Sequence, residues 1–562
     1  MPSIVSAIET LDENLPYGEV LYPGEVSYER AVFIGNLLYR LTTPFAVILP
    51  RNIAEVQEIV KYCYDNKIRL TVKNGGHSYA GYCLNDEGIV LDMSAMREVH
   101  INDNSTLVKI QGGATWVDAY ATLVGKDAAN IIIGGQCPFV GVSGFTLGGG
   151  LSPFSRSYGL GVDNVVEMTM VTATGDLVTV TDHEMEQHKR DLFWALRGGG
   201  GGNFGILVDF TSKVHKLRNA DGHIVAGNLT WKLPSQEQDF KDMMKTWNDA
   251  PQWPPELAAD MITRFVDGEM VGQMTILFNG TMEECLKEVA PLMKYNPVNE
   301  MKQMQWSDWV KIDEGFEVDS KVYHHHASVI LPNNDVTPAV TDLIVSLVKE
   351  SHTLPGDPGQ CSILWDHIGQ ATTKVKSDDT AFFWRDGFYV MTILVQWLDP
   401  AQNQKYLDFA DKCKNSFLPF AIQGKAAYLN YIDSTVQNWQ DAYYGSNYAR
   451  LQKIKDHWDP TNFFHFDQSI ELTGTTNNGK APAQRAIGTV NTGIVLPPEV
   501  STKTEGVSMD VCGDGHSNRT KQTKARWDAY SMPDPTVLHG VTSHKEIYKI
   551  DGMERIKVLR GF

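Results

Sequence analysis

The sequence predicts an α+β protein: a glycine-rich first part built on short strands, then an antiparallel sheet backed by helices. Three observations lead there. Between about Tyr28 and Val214, short apolar runs alternate with glycine clusters. Between His215 and Ala426, long alternating runs are interleaved with amphipathic ones. The chain has 562 residues, more than one hydrophobic core organises, so several packed parts are expected.

The elements follow in order. FAVILP, around Ala46–Leu49, reads as a buried strand. From Ile53 to Asn66 a helix is expected, because Val56, Ile59, Val60 and Cys63 fall on one face. IRLTVKN and GIVLDM are further strands, and VVEMTMVTATGDLVTV is a hairpin turning near Thr174-Gly175. In the second part HIVAGNLTWKL and MVGQMTILFNG are strands, and TMEECLKEVAPLM is a helix. The chain continues through AAYLNYIDS to the helical YARLQKIKDHW, which stops at Asp459-Pro460. Residues 471–510, rich in Thr, Gly, Asn and Pro, read as a linker. KEIYKI-DG-MERIKVL reads as a hairpin, with Asp551-Gly552 in a type I′ turn. The expected divisions are an N-terminal segment (1–27), the glycine-rich domain (28–214), a substrate domain (215–426), a returning motif (427–470) and a tail (471–562).

Composition is that of a globular protein: 42% hydrophobic, 21% charged and 10% aromatic. A net charge of −19 argues against nucleic acid and anionic membrane as partners, since both attract basic surfaces. No apolar run reaches the length of a membrane span. MPSIVSAIETLDENLPYGEV has no basic segment followed by an apolar one, which points to a cytoplasmic or other intracellular location. Sequons at Asn104, Asn228, Asn279 and Asn518 keep secretion as the alternative. Seven scattered cysteines form neither a disulfide framework nor a CxxC pair. The tail carries 12 Lys+Arg against 10 Asp+Glu, so the acidity belongs to the body. A hairpin docked on that body and a dimer contact are the tail's two readings; the oligomeric state stays open. His324-His325-His326 invites a metal reading, but consecutive strand residues point to opposite faces and no other ligand sits at suitable spacing. A strand end is the reading kept, with no metal.

Three glycine-rich segments carry the chemistry: VKNGGHSYAGY (72–82), GGQCPFVGVSGFTLGGGL (134–151) and LFWALRGGGGGNFGI (192–206). Glycine clusters persist where backbone must approach something closely, and their exposed N–H groups bind anions such as a dinucleotide pyrophosphate. Gly200, Gly202 and Gly205 satisfy G-x-G-x-x-G, yet a helical run precedes them and a strand-like ILVDFTSKV follows. That is the reverse of the Rossmann order.

GGHS (75–78), GGQC (134–137), VGVSGFTLGGG (140–150) and FWALRGGGGGNFGI (193–206) resemble the vanillyl-alcohol-oxidase/PCMH superfamily of FAD-linked oxidases. YLNYID (428–433) and YYGSNYARLQKIKDHWDPTNFFHFDQSI (443–470) are similar to the closing motif of berberine bridge enzyme-like proteins and glucooligosaccharide oxidase. The resemblance covers about residues 20–470 and implies a two-part FAD-binding domain of the PCMH type.

It further implies FAD held by two covalent bonds, from His77 and from Cys137. An imidazole and a thiolate are the side chains able to add to an electron-poor isoalloxazine. The non-covalent contacts it implies come from Lys73, Asn74, Gly75, Gly76 and Ser78 in the first loop. The second loop adds Val140, Gly141, Ser143, Gly144 and Gly148; the third adds Asn203, Gly205 and Ile206; the closing motif adds Tyr444 and Asn447. Tyr431 matches the family's general base, Asp366 a relay carboxylate and Tyr79 a substrate-side tyrosine. A phenol with a pKa near ~10 is a poor base unless neighbours stabilise its phenolate or relay its proton. Asp366 precedes Gly369-Gln370 where the family has Gly-Gly. Val140 resembles an oxygen gatekeeper that goes with oxidases when it is valine. The expected activity is oxidation of a small hydroxylated or amine-bearing specialised metabolite, with O₂ reduced to H₂O₂. An oligosaccharide oxidase acting at the anomeric carbon and a catalytically idle FAD-binding protein are the alternatives.

Overall fold

The computed structural model describes residues 4–250, 253–312, 322–355, 360–475, 544–550 and 553–559. The described residues up to Thr475 form one compact unit, and the hairpin 544–559 belongs to another. Most of the expected linker, and the Asp551-Gly552 turn, lie outside the described residues. The hairpin's strands, His544–Ile550 and Met553–Leu559, pair antiparallel as expected.

The glycine-rich part is built on two sheets. In the first, the order is Glu19–Leu21, Ala46–Leu49, Gly88–Asp92, Arg69–Lys73, and the last three run parallel. A parallel strand is covered on both faces, which is why GIVLD is buried at every position. The Ile53–Asn66 helix lies over this sheet with Val56, Ile59, Val60 and Cys63 fully buried. Asn52 caps it, accepting from the Glu55 N–H at 3.0 Å. The second sheet has five antiparallel strands and contains the expected hairpin, Val165–Val171 with Leu177–Thr181, turning at Gly175 with φ +85°. The third glycine loop lies between the Gln187–Ala195 helix and the Ile206–Lys213 strand, so the Rossmann fingerprint lacks its strand-then-helix context.

The second part is an eight-stranded antiparallel sheet, as its alternation predicts. One face, with Trp231, Met261, Met274, Trp365 and Met391, packs in a common core with the helices Leu233–Asp249, Met282–Met293, Pro338–Ser351 and Asn403–Phe417. Period-two alternation turns the residues between them the other way, toward the glycine-rich part. Asp260, Asp366, His324 and His326 share that second face. Leu151, Leu160, Ile330, Val390, Phe382 and Tyr428 form the apolar joint there. No helix among the described residues is long and apolar enough to cross a membrane.

Candidate active site

The first two glycine loops meet backbone to backbone. A Cβ on Gly75 would stand 2.6 Å from the Gly141 nitrogen, and one on Gly141 would overlap the Asn74 Oδ1 at 1.6 Å. Larger side chains would push the loops apart, and this contact is the physical reason for glycine here. Asn74 Nδ2 donates to the Gly112 and Ala114 carbonyls, and Ser143 Oγ donates to Gly112 at 2.6 Å. Ser78 Oγ accepts from the Tyr82 N–H at 3.2 Å, tightening the turn after His77. Lys73 forms a buried ion pair with Asp92 at 2.9 Å.

His77 rises from the first loop and faces the Phe139 carbonyl of the second. Burial, and then the Lys73 ammonium, lower its pKa to about 4, so the ring is neutral at physiological pH. Cys137 is half-buried, and its carbonyl accepts from the Val140 N–H at 3.3 Å in a tight turn. Tyr79 and Tyr120 both sense Cys137 electrostatically, which puts the thiol beside them.

These residues fit a flavin. Asn74 Oδ1 and His77 Nε2 are buried polar atoms without hydrogen-bond partners, and a Cβ built on Gly144 would meet nothing within 4 Å. Such a lining suits a flat heteroaromatic with polar edges. The polar groups of the other implied contacts are engaged by protein. Asn203 donates to Gly199 O at 3.0 Å and accepts from Ile470 N at 2.8 Å; Tyr444 OH reaches Gly199 O at 3.0 Å. Asn447 donates to Ser377 O at 2.6 Å. A Cβ on Gly205 would stand 2.4 Å from Val171 O, Ile206 is fully buried, and a Cβ on Gly148 would displace Asn430. Gly76 adopts φ +74°.

Above this cradle Tyr431 donates its hydroxyl proton to Asp366 Oδ2 at 2.8 Å. Burial first, and then the Asp366 and Tyr79 charges, push the Tyr431 phenol well above its usual pKa. Tyr79 is raised by burial, Cys137 and Asp366. Its ring stands 5.9 Å from Tyr431 and stacks on His326 at 3.5 Å with an interplanar angle of 7°. Residues 79, 137, 366 and 431, far apart in sequence, thus share one pocket.

Two members of the pocket were not among the expected site residues. His324 senses His77 and is lowered to about 3 by burial, His325 and His77 together; His326 is also lowered well below the usual range, by burial first. Both rings are neutral, and the Nδ1 of each is buried without a partner. The signal was the alternation through the triplet, which puts two histidines on one face. His325 points to the other face, where Nε2 lies 3.2 Å from Asp433. Burial alone would raise the Asp433 carboxyl, but His325 and Lys414 reverse this and hold it well below the usual range.

Residues 44–181 match the family model described as an FAD binding domain, and residues 427–471 the one described as berberine and berberine like. An uncharacterised FAD-linked oxidoreductase of Bacillus subtilis is 28% identical, covering 76% of this chain and 91% of its own. A xylooligosaccharide oxidase of Thermothelomyces thermophilus is 27% identical over 76% of this chain and 87% of its own. Among solved structures, a BBE-like protein from Physcomitrella patens superposes with a TM-score of 0.73 at 24% identity. That match covers 83% of this chain and 99% of the other.

Proposed function

We propose that this chain is an FAD-linked oxidase of the berberine bridge enzyme-like kind whose FAD is attached through both His77 and Cys137. The neutral imidazole and the half-buried thiol, on two loops that meet at Gly75 and Gly141, support this. Bound there, FAD would accept a hydride from a substrate carbon and be reoxidised by O₂, giving H₂O₂.

The Tyr431–Asp366 hydrogen bond carries the catalytic assignment. No cation is positioned to stabilise a Tyr431 phenolate among the groups that shift it. Tyr431 therefore acts as a relay: it takes the substrate's hydroxyl proton while its own passes to Asp366. Tyr79, stacked on His326, forms the wall beside it. The substrate is a small hydroxylated or amine-bearing metabolite. The grouping of Tyr79, Asp366 and Tyr431 also favours a second reading, oxidation of an oligosaccharide at its anomeric carbon. A panel of sugars, alcohols and amines assayed for H₂O₂ release separates the two.

The attachment is tested directly. Acid-precipitated protein is expected to stay yellow, and one flavin-bearing tryptic species is expected to contain both the His77 and Cys137 peptides. A colourless pellet with free FAD in the supernatant would end the claim.

Val140 supports the oxidase reading. It is partly buried and packs against the core, and its carbonyl accepts from Trp116 N at 3.2 Å. Val140→Leu adds one methylene where packing is close enough for it to be felt. Slower reoxidation by O₂ is expected in stopped flow, with reduction by substrate little changed and an artificial acceptor restoring turnover. Identical reoxidation traces would reduce Val140 to packing.

A further inference from the structure

We propose that Asp260 is a positioning residue that ties the Cys137 loop to the strand bearing Asp366. The inference rests on the attachment of flavin to Cys137 proposed above.

Asp260 lies on the Leu257–Val266 strand. Its neighbour Met261 pairs with Trp365, so Asp260 stands across from Asp366 and on the same face of the sheet. On its other side it pairs with Thr275. Each carboxylate oxygen has one partner. Oδ2 accepts from Gln136 Nε2 at 2.7 Å, and Oδ1 accepts from the His367 backbone N–H at 2.7 Å. Gln136 immediately precedes Cys137, and His367 immediately follows Asp366. One side chain thus holds the neighbours of a flavin-attaching residue and of the proton-relay carboxylate.

The charged and titratable groups facing Asp260 come from three elements. Arg156, from Ser155–Tyr158, bonds His367 Nε2 at 2.8 Å, Ile368 O at 2.7 Å and Trp253 O at 2.8 Å. Asp366 and His367 come from the adjoining strand, and Gln136 from the loop. Burial pushes the Asp260 carboxyl up to about 6, against the His367 N–H, Gln136 and Arg156. A protonated oxygen cannot accept from an N–H in the same way, so the double tie loosens below about pH 6.

The test uses the flavin-loaded enzyme and needs no substrate. Wild type, Asp260→Asn, Asp260→Leu and Gln136→Leu are compared by peptide mass mapping of the flavin linkages. The Cys137-linked fraction is expected to fall about 3–10-fold in Asp260→Asn and Gln136→Leu, where the Gln136–Asp260 hydrogen bond is lost, and further in Asp260→Leu, where both are. The His77-linked fraction is expected to hold, which a general loss of folding would not allow. The flavin absorbance of wild type is expected to titrate near pH 6, and that step to vanish in Asp260→Asn, which preserves shape if Asp260→Leu fails to fold. Wild-type Cys137 linkage in Asp260→Asn and Gln136→Leu, with the titration retained, overturns the inference. Absence of any Cys137 link in wild type overturns the attachment reading instead.

Discussion

Tyr431→Phe is expected to lower turnover by about 10²–10⁴-fold, the usual worth of a positioned acid–base group. The change removes one hydroxyl and the 2.8 Å hydrogen bond to Asp366. The ring contacts remain: Tyr428 edge-on at 5.1 Å and Tyr79 at 5.9 Å hold a phenylalanine equally well. Flavin content is therefore expected to match wild type, since His77 and Cys137 are untouched. Steady-state O₂ consumption, normalised to bound flavin, makes the comparison. Near-normal turnover would move the base to Asp366, and Asp366→Asn would then be the variant that loses activity.

Lys455→Met is expected to destabilise the body by about 3–5 kcal/mol, the cost of breaking a buried ion pair from one side. Lys455 and Asp459 are both fully buried, 2.7 Å apart. The ammonium also donates to the Asn203 and Phe464 carbonyls at 2.6 Å each, so it pins the third glycine loop to the closing motif. Asp459 accepts from Phe463 N at 2.8 Å and Phe464 N at 2.9 Å. Without Lys455 it becomes a buried charge facing no cation. The unfolding midpoint of Lys455→Met is expected to fall sharply, and adding Asp459→Asn to recover part of the loss. A midpoint unchanged from wild type would mean that water reaches Asp459.

Where neighbours in sequence decide the outcome, the sequence was sufficient. The Ile53–Asn66 helix is bounded as its 3.6-residue period and Asn52 cap require. The hairpin at Gly175 follows from two alternating runs around a glycine that needs positive φ. The order of helix, glycine loop and strand around Gly200 by itself excludes a Rossmann fingerprint there. The alternation through His324–His326 likewise determined that two rings face one way and one the other.

Contacts between distant segments were not legible, because strand order and register are set by the packing of whole faces. Nothing local to SILWDHIGQ says that Asp366 will meet Tyr431, or that His367 will bind Asp260. Asn203 and Tyr444 hydrogen-bond the Gly199 carbonyl in the third loop, and Asn447 the Ser377 carbonyl, partners that no local pattern announces. The sequence by itself determined the local elements, the glycine loops and the chemical types of the residues in them. Only the tertiary structure decided which of those residues share a pocket, because burial and long-range pairing set their neighbours and therefore their protonation and reach.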